Sequence, residues 1–259
     1  MMNPAKILFF DVDGTLFDST KTIPQSAKDA LAQARANGYE LAIATGRGPF
    51  MIAPLLEELA IDTYVTFNGQ YVVYKGEVVY TNQVDKSTLD GIVTFGASRG
   101  EHAVFLDENQ MVASVAGEPK LEEALATLKF PYPLVDPVYY KNNDVYQTLV
   151  FIEQAQETLY EAKFPTVQFV RWHPYSCDIL PANGSKAVGI EKLLVRLGCT
   201  MEDAVAFGDG LNDIEMLSAV GTSVAMGNGH AEAKAVATHI APHVDEGGLA
   251  TIMKELNLI

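Results

Sequence analysis

The sequence predicts an α/β protein: a parallel sheet with helices on both faces, interrupted by an inserted α+β module. Three observations carry that expectation. Short apolar runs alternate with helical periodicity at both ends of the chain, as in a parallel sheet wound with helices. Several of the runs stop abruptly at glycine and polar residues, the pattern of strands that end at a ligand-binding edge. Between about Thr81 and Asn183 the rhythm changes to strands with few helices. The expected boundaries are 1–81 for the first part of the core domain, 82–182 for the insert and 183–259 for the second part.

The elements follow in order. Ile7, Leu8, Phe9 and Phe10 form an unbroken apolar run, as in a central strand buried on both faces. Asp11-Val12-Asp13-Gly14-Thr15-Leu16 comes next, and Gly14 lets the chain leave the strand sharply. Residues 24–37 read as a helix, with Ala27, Ala30, Leu31 and Ala34 on one face and Gly38 at the stop. A second strand spans 39–44 and runs into Thr45-Gly46-Arg47-Gly48. Pro49 opens the next helix, and 63–68 forms a third strand. Two β-rich runs, 71–74 and 77–80, flank Lys75-Gly76 and suggest a hairpin.

The insert reads as a helix (85–98), strands at 102–106 and 111–115, and a helix at 119–128. An irregular proline-rich stretch (130–143) is followed by a strand (145–152), a helix (155–163) and strands at 167–172 and 176–180. The α/β rhythm returns at Asn183-Gly184-Ser185-Lys186. A helix follows with Val188, Leu193, Leu194 and Leu197 on its apolar face and Gly198 at its end. A strand at 203–207 runs into Gly208-Asp209-Gly210-Leu211-Asn212-Asp213. A helix through Leu217, a strand at 222–226, a helix from about His230, a strand near 238–241 and a helix from Gly248 complete the domain.

Composition narrows the function. The net charge of −15 over 259 residues argues against nucleic acid or an anionic membrane surface as partner. No apolar run approaches the ~20 residues that span a bilayer. Lys6 and Asp11 break the N-terminal region too early for a signal peptide. Cys177 and Cys199 lack metal or redox spacing, so a reduced, cytoplasmic setting is expected. His102, His230, His239 and His243 show no metal-ligand spacing. The sequence leaves the oligomeric state open and is compatible with a monomer.

The chemistry gathers at the strand ends. Asp11 and Asp13 repel one another unless a cation or a shared proton compensates. A hard divalent cation such as Mg²⁺ suits an oxygen-rich site of this kind. An EF-hand loop is excluded, because Leu16 and Thr22 stand where it needs Gly and Glu. Thr45-Gly46 before a helix start offers N–H groups to an anion.

Taken in order, Asp-Val-Asp-Gly-Thr-Leu, Thr45-Gly46, Lys186 and Gly-Asp-Gly-Leu-Asn-Asp resemble the four motifs of the haloacid dehalogenase-like hydrolases. The resemblance covers the whole chain, and the long strand-rich insert is similar to the C2-type cap of the Cof-like branch. It implies a Rossmann-like core with an inserted cap domain, and Mg²⁺-dependent hydrolysis of a small phosphate ester, sugar phosphates first. By that resemblance Asp11 is the nucleophile that becomes an aspartyl-phosphate, and Asp13 is the general acid and base. Val12, Thr45, Gly46, Lys186 and Asn212 would hold phosphate. Asp11, Asp13 through its backbone carbonyl, Asp209 and Asp213 would surround the metal. Arg47 on the core, and Arg171, His173 and Tyr175 on the insert, are candidates for substrate selection. The alternatives are a phosphotransferase or phosphomutase on the same scaffold, and a non-catalytic sugar-phosphate-binding regulator.

Overall fold

The protein is described by a computed structural model covering residues 7–259, so Lys6 lies outside the described residues. The chain divides into two compact units. One holds the described residues up to Arg47, Met51–Tyr80 and Ser185–Ile259; the other holds Gly48–Phe50 and Thr81–Gly184.

The first unit begins with β1 (Ile7–Phe10), α1 (Gln25–Ala36), β2 (Glu40–Ala44), α2 (Pro49–Leu59), β3 (Tyr64–Thr66), β4 (Tyr71–Tyr74) and β5 (Glu77–Thr81). The expected hairpin joins β4 and β5. Lys75 and Gly76 both take positive φ there, as a tight two-residue turn between twisted strands requires. The third strand is shorter than expected. It stops at Thr66, because Phe67 and Asn68 turn left-handed at φ +50° and +52°.

The second unit contains α3 (Lys86–Ala97), β6 (Ala103–Leu106), β7 (Met111–Ala113), α4 (Pro119–Thr127), β8 (Leu134–Val135), α5 (Tyr139–Asn142), β9 (Gln147–Val150), α6 (Gln154–Lys163), β10 (Val167–His173) and β11 (Ser176–Pro181). Its six strands lie in the order β10-β11-β9-β6-β7-β8, antiparallel except for β7 with β8. The stretch expected to be irregular contains β8 and α5. The bonds that define β8 come from Val112 and Ala113, which are distant in sequence, and α5 forms where Tyr140 is buried among Phe105 and its neighbours. Neither signal is local.

The chain returns to the first unit with α7 (Lys186–Leu197), β12 (Ala204–Gly208), α8 (Ile214–Ala219), β13 (Thr222–Ala225), α9 (Ala231–Val236), β14 (His239–Ile240) and α10 (Gly248–Glu255). Its eight strands run in the order β14-β13-β12-β1-β2-β3-β4-β5, and the six from β14 to β3 are parallel. Period-two alternation divides β1 between two cores. Leu8 and Phe10 pack with α1, α2 and α10, while Ile7 and Phe9 pack with α7, α8 and α9. Helices therefore cover both faces, and the strand is apolar throughout because neither face sees water. Phe10 also stacks on Phe207 of β12, with ring centroids 4.8 Å apart. Burying either ring stabilises the fold by about 2–3 kcal/mol.

Register places the site. Phe10 is level with Ile43 on one side and Phe207 on the other. β1, β2 and β12 therefore end together, and the three loops that follow them meet at one edge of the sheet.

Candidate active site

Asp11 stands one residue beyond β1 and is still tied to the sheet, its N–H donating to the carbonyl of Phe207 at 2.9 Å. Its carboxylate accepts a hydrogen bond from Lys186 Nζ at 2.6 Å, and the same ammonium reaches Asp213 Oδ1 at 2.6 Å. Lys186 and Asp213 are fully buried. Lys186 is the first residue of α7, where the helix dipole disfavours a cation, so the lysine is not there for the helix. Gly69 lets α7 come this close. A Cβ on Gly69, at φ +97°, would lie 1.9 Å from the carbonyl oxygen of Ser185, which precedes Lys186.

Asp213 uses its second oxygen to fasten its own loop, accepting from the N–H groups of Asp209 and Gly210 at 2.9 and 2.8 Å. That arrangement turns the Asp209 carboxylate toward Asp11. Gly14 makes room for it: at φ +78°, a Cβ there would stand 2.2 Å from Asp209 Oδ2. One oxygen each of Asp11, Asp209 and Asp213 lies within 4.8 Å of the others.

This cluster is short of positive charge. Burial pushes the Asp11 carboxyl well above the usual range; Lys186 opposes that shift, and the charges of Asp213 and Asp209 add to it. Burial, with the Asp213 charge, pushes Asp209 up to about 6. Burial would lower Lys186, but Asp11 and Asp213 more than compensate and raise it. Three carboxylates around one ammonium form an all-oxygen donor set lacking cationic charge, and such a set fits a hard divalent cation.

Asp13 belongs to a different constellation. Arg47 grips it with two parallel bonds, Nε to Oδ2 at 2.7 Å and Nη2 to Oδ1 at 2.8 Å. Lys21 Nζ adds a third at 2.7 Å. Burial works to raise this acid, but Arg47 and then Lys21 hold it below the usual carboxylate range.

Thr45 is buried at the end of β2, and its hydroxyl accepts from the N–H of Arg47 at 3.2 Å. Val12 is buried beside the two acids, and Gly46 precedes the arginine. Asn212 donates to Asn68 Oδ1 at 3.0 Å, and Asn68 lies against Gly46. The left-handed turn at Asn68 thus connects the loop after β2 to the loop after β12.

Lys21, Asn68 and Asn228 were not singled out from the sequence. Asn228 donates to the carbonyl of Gly14 at 2.8 Å and to Asp209 Oδ2 at 3.3 Å, holding the two acidic loops together. In the insert, Arg171 is bound into its own unit. Its guanidinium donates to Glu157 and to the carbonyls of Ile152, His173 and Pro174. His173 Nδ1 accepts from the N–H of Tyr175 at 3.2 Å, and its ring lies between those of Trp172 and Tyr175.

A family model for haloacid dehalogenase-like hydrolases matches residues 8–253. The chain belongs to that family. YkrA of Bacillus subtilis (strain 168), provisionally named a phosphatase, is 42% identical over 98% of this chain and 99% of its own. A hypothetical protein of Geobacillus kaustophilus HTA426 has a solved structure with TM-score 0.95 and 46% identity, covering 98% of this chain and 100% of that one. The structure of the HAD subclass IIB sugar phosphatase BT4131 superposes with TM-score 0.87 and 30% identity, again over 98% and 100%. The chain is a phosphoric monoester hydrolase of the Cof-like branch with the Rossmann-like α/β fold. No helix among the described residues is long and apolar enough to cross a membrane.

Proposed function

We propose that this protein is a cytoplasmic, Mg²⁺-dependent phosphatase of small phosphorylated metabolites, sugar phosphates foremost. The observation that carries the reading is the buried Asp11–Lys186–Asp213 contact with Asp209 beside it. Crowding four ionisable groups at the strand ends costs stability, and groups perturbed in this way cluster at functional sites.

Asp11, Asp209 and Asp213 would hold Mg²⁺, with the backbone carbonyl of Asp13. The ion would neutralise charge that otherwise sets a carboxylate nucleophile against a phosphate dianion. Asp11 attacks phosphorus, and the ester P–O bond breaks. Asp13, ionised while both cations hold it, takes up a proton from solvent as substrate draws a cation away; it passes that proton to the leaving oxygen, and phosphate remains on Asp11 as an acyl phosphate. Water then attacks phosphorus, gives its proton to Asp13, and frees Asp11 and inorganic phosphate. Lys186 balances the charge on Asp11 throughout. Thr45, Gly46, Asn212 and the N–H of Val12 hold the phosphoryl oxygens. The residues about 82–182 act as a cap and select the leaving group. In that unit His173 is a better candidate than Arg171, whose donors are already engaged.

The test is phosphate release from a panel of phosphorylated metabolites by the full chain, with Mg²⁺ and with excess chelator. Release that stops on chelation and returns with Mg²⁺ is expected. Full activity in chelator would overturn the metal assignment, and no release from any ester would overturn the phosphatase reading.

A further inference from the structure

The pairing around Asp13 has a charge balance that hydrolysis of a plain ester does not require. Two cations, Arg47 and Lys21, converge on one carboxylate, so the trio carries a net charge of +1 in a chain of −15. Three N–H donors occupy both oxygens of Asp13. Oδ1 accepts two of these bonds and Oδ2 one, so a leaving oxygen meets a carboxylate held by two cations, and a cation that withdraws from it needs a new anionic partner.

Lys21 is the one built to move. Its side chain is 52% exposed, against 22% for Arg47. Arg47 is also braced, its guanidinium lying 5.7 Å over the ring of Phe17. Lys21 sits on a loop made for its delivery. Asp18 Oδ1 accepts from the N–H groups of Thr20 and Thr22, and the Ser19 N–H is fixed to Asp245. Within that frame Lys21 adopts φ +62°, a left-handed conformation that a lysine does not favour. The turn it closes, with the Lys21 N–H on the Asp18 carbonyl and the Asp18 N–H on the Thr22 carbonyl, sets its ammonium against Asp13.

We infer that Lys21, backed by Arg47, forms a second anion subsite on the leaving-group side of Asp13, and that the preferred esters carry a second negative charge, carboxylate or phosphate, a few bonds from the ester oxygen. This rests on the phosphatase reading and specifies its substrate class. The incoming anion takes Lys21, the released oxygen of Asp13 takes up a proton from solvent, and that proton passes to the leaving oxygen as the ester bond breaks.

A matched series tests this. The phosphate monoester of 1,3-propanediol ends in a neutral hydroxyl. The phosphate ester of 3-hydroxypropanoate ends in a carboxylate, 1,3-propanediol bisphosphate in a phosphate, and 3-aminopropanol phosphate in an ammonium. In the wild type kcat/KM should be roughly tenfold higher for the two anionic-ended esters than for the hydroxyl one, and lowest for the ammonium one. Comparing the carboxylate with the bisphosphate shows which anion fits better. Lys21→Ala should collapse the anionic-to-neutral ratio toward one, Lys21→Arg should restore it, and Lys21→Glu should favour the ammonium ester. Lys21→Gly takes the left-handed turn without strain and gives the same readout if the alanine variant is unstable. A wild-type ratio near one, or a ratio unchanged by Lys21→Ala, overturns the subsite. Turnover of all four esters without ranking by charge defeats this inference alone, whereas no turnover of any ester, p-nitrophenyl phosphate included, defeats the phosphatase reading beneath it.

Discussion

The two carboxylates of the first acidic loop are two residues apart and have opposite surroundings. Asp11 faces inward, where one ammonium serves three carboxylates and all are wholly or largely buried. Asp13 faces outward, where one carboxylate serves two cations near solvent. The inner group lacks positive charge and the outer group lacks negative charge. Burial raises Asp11, while Arg47 and Lys21 lower Asp13 despite its own burial. The difference shows how one strand end can supply two chemistries. The inner acid is prepared for a divalent cation and a phosphoryl group, the outer one for the rest of the substrate. It also bears on how a chain of net charge −15 could admit a phosphate ester: Arg47 and Lys21 offer local positive charge at the outer group, and a divalent cation would have to supply it at the inner one.

The strongest way to break the comparison is at its inner end. Asp11→Asn keeps the shape and removes the nucleophile, so kcat should fall by at least about a thousandfold. Because burial already disfavours the charged form of Asp11, the variant should melt at the same temperature as the wild type or higher. Steady-state kinetics and a thermal melt check both halves. A large loss of Tm would mean that Asp11 holds the sheet edge together and that its chemistry is not isolated from folding.

Lys186→Ala attacks the same region from the cationic side. It leaves Asp11 and Asp213 facing each other without their counter-ion in a dry site. Removing one partner of such a buried pair costs about 3–5 kcal/mol. Denaturant unfolding should show that loss at neutral pH, and activity should fall by a smaller factor than in Asp11→Asn, because Mg²⁺ would supply part of the missing charge. Unchanged stability would show that solvent reaches Lys186 and that the inner group is not as enclosed as its geometry indicates.

The inner site was more legible in the sequence than the outer one, for a physical reason. Asp11, Thr45 and Asp209 follow apolar strands directly, Asp213 closes the short turn after Asp209, and the level ends of β1, β2 and β12 bring such residues together. The order of apolar run, turn and helix brought these residues to notice, and the resemblance to a known family supplied the roles expected of them. Lys21, Asn68 and Asn228 are brought in by loop geometry. Left-handed residues at 21 and 68, and an asparagine spanning two loops, leave no periodic trace. The same limit applies in the fold, where β8 and α5 depend on partners far along the chain, while α1 could be read from the spacing of its own buried residues; in α7 the expected face held for Leu193 and Leu194, but Val188 and Leu197 are half-buried and Ile190 is the further buried residue. Arg171 shows the converse, since a conspicuous charge in the sequence is bound into the insert's own framework.

The gentlest way to sharpen the comparison is pH, because protons compete with the metal at the inner group alone. Asp209 is held at about 6 by burial and by Asp213, so without metal it binds a proton as pH falls through 6. Asp13 is held low by its cations and stays ionised over that interval. A carboxylate must be ionised to bind Mg²⁺, so apparent Mg²⁺ affinity should decline below about pH 6, by up to tenfold per pH unit for one competing proton. The sign for stability is opposite. A carboxyl raised in the folded state makes the metal-free protein more stable when it is protonated, so its stability should rise as pH falls from 6 toward 4. Other carboxylates, Asp13 included, oppose this, and their contribution is lost only as pH falls further. Burial also raises Asp11, and raises Asp178 to about 7, so metal-free Asp209→Asn should show a smaller rise between pH 6 and 4 than the wild type and keep the acid unfolding below it. Titrating activity against Mg²⁺ at pH 5 and pH 7 separates the cases: excess Mg²⁺ should restore the pH 5 rate in the wild type. A pH 5 loss that no Mg²⁺ concentration relieves would place the titrating group on the substrate or at Asp13, and the two ends of the acidic loop would no longer differ as their surroundings suggest.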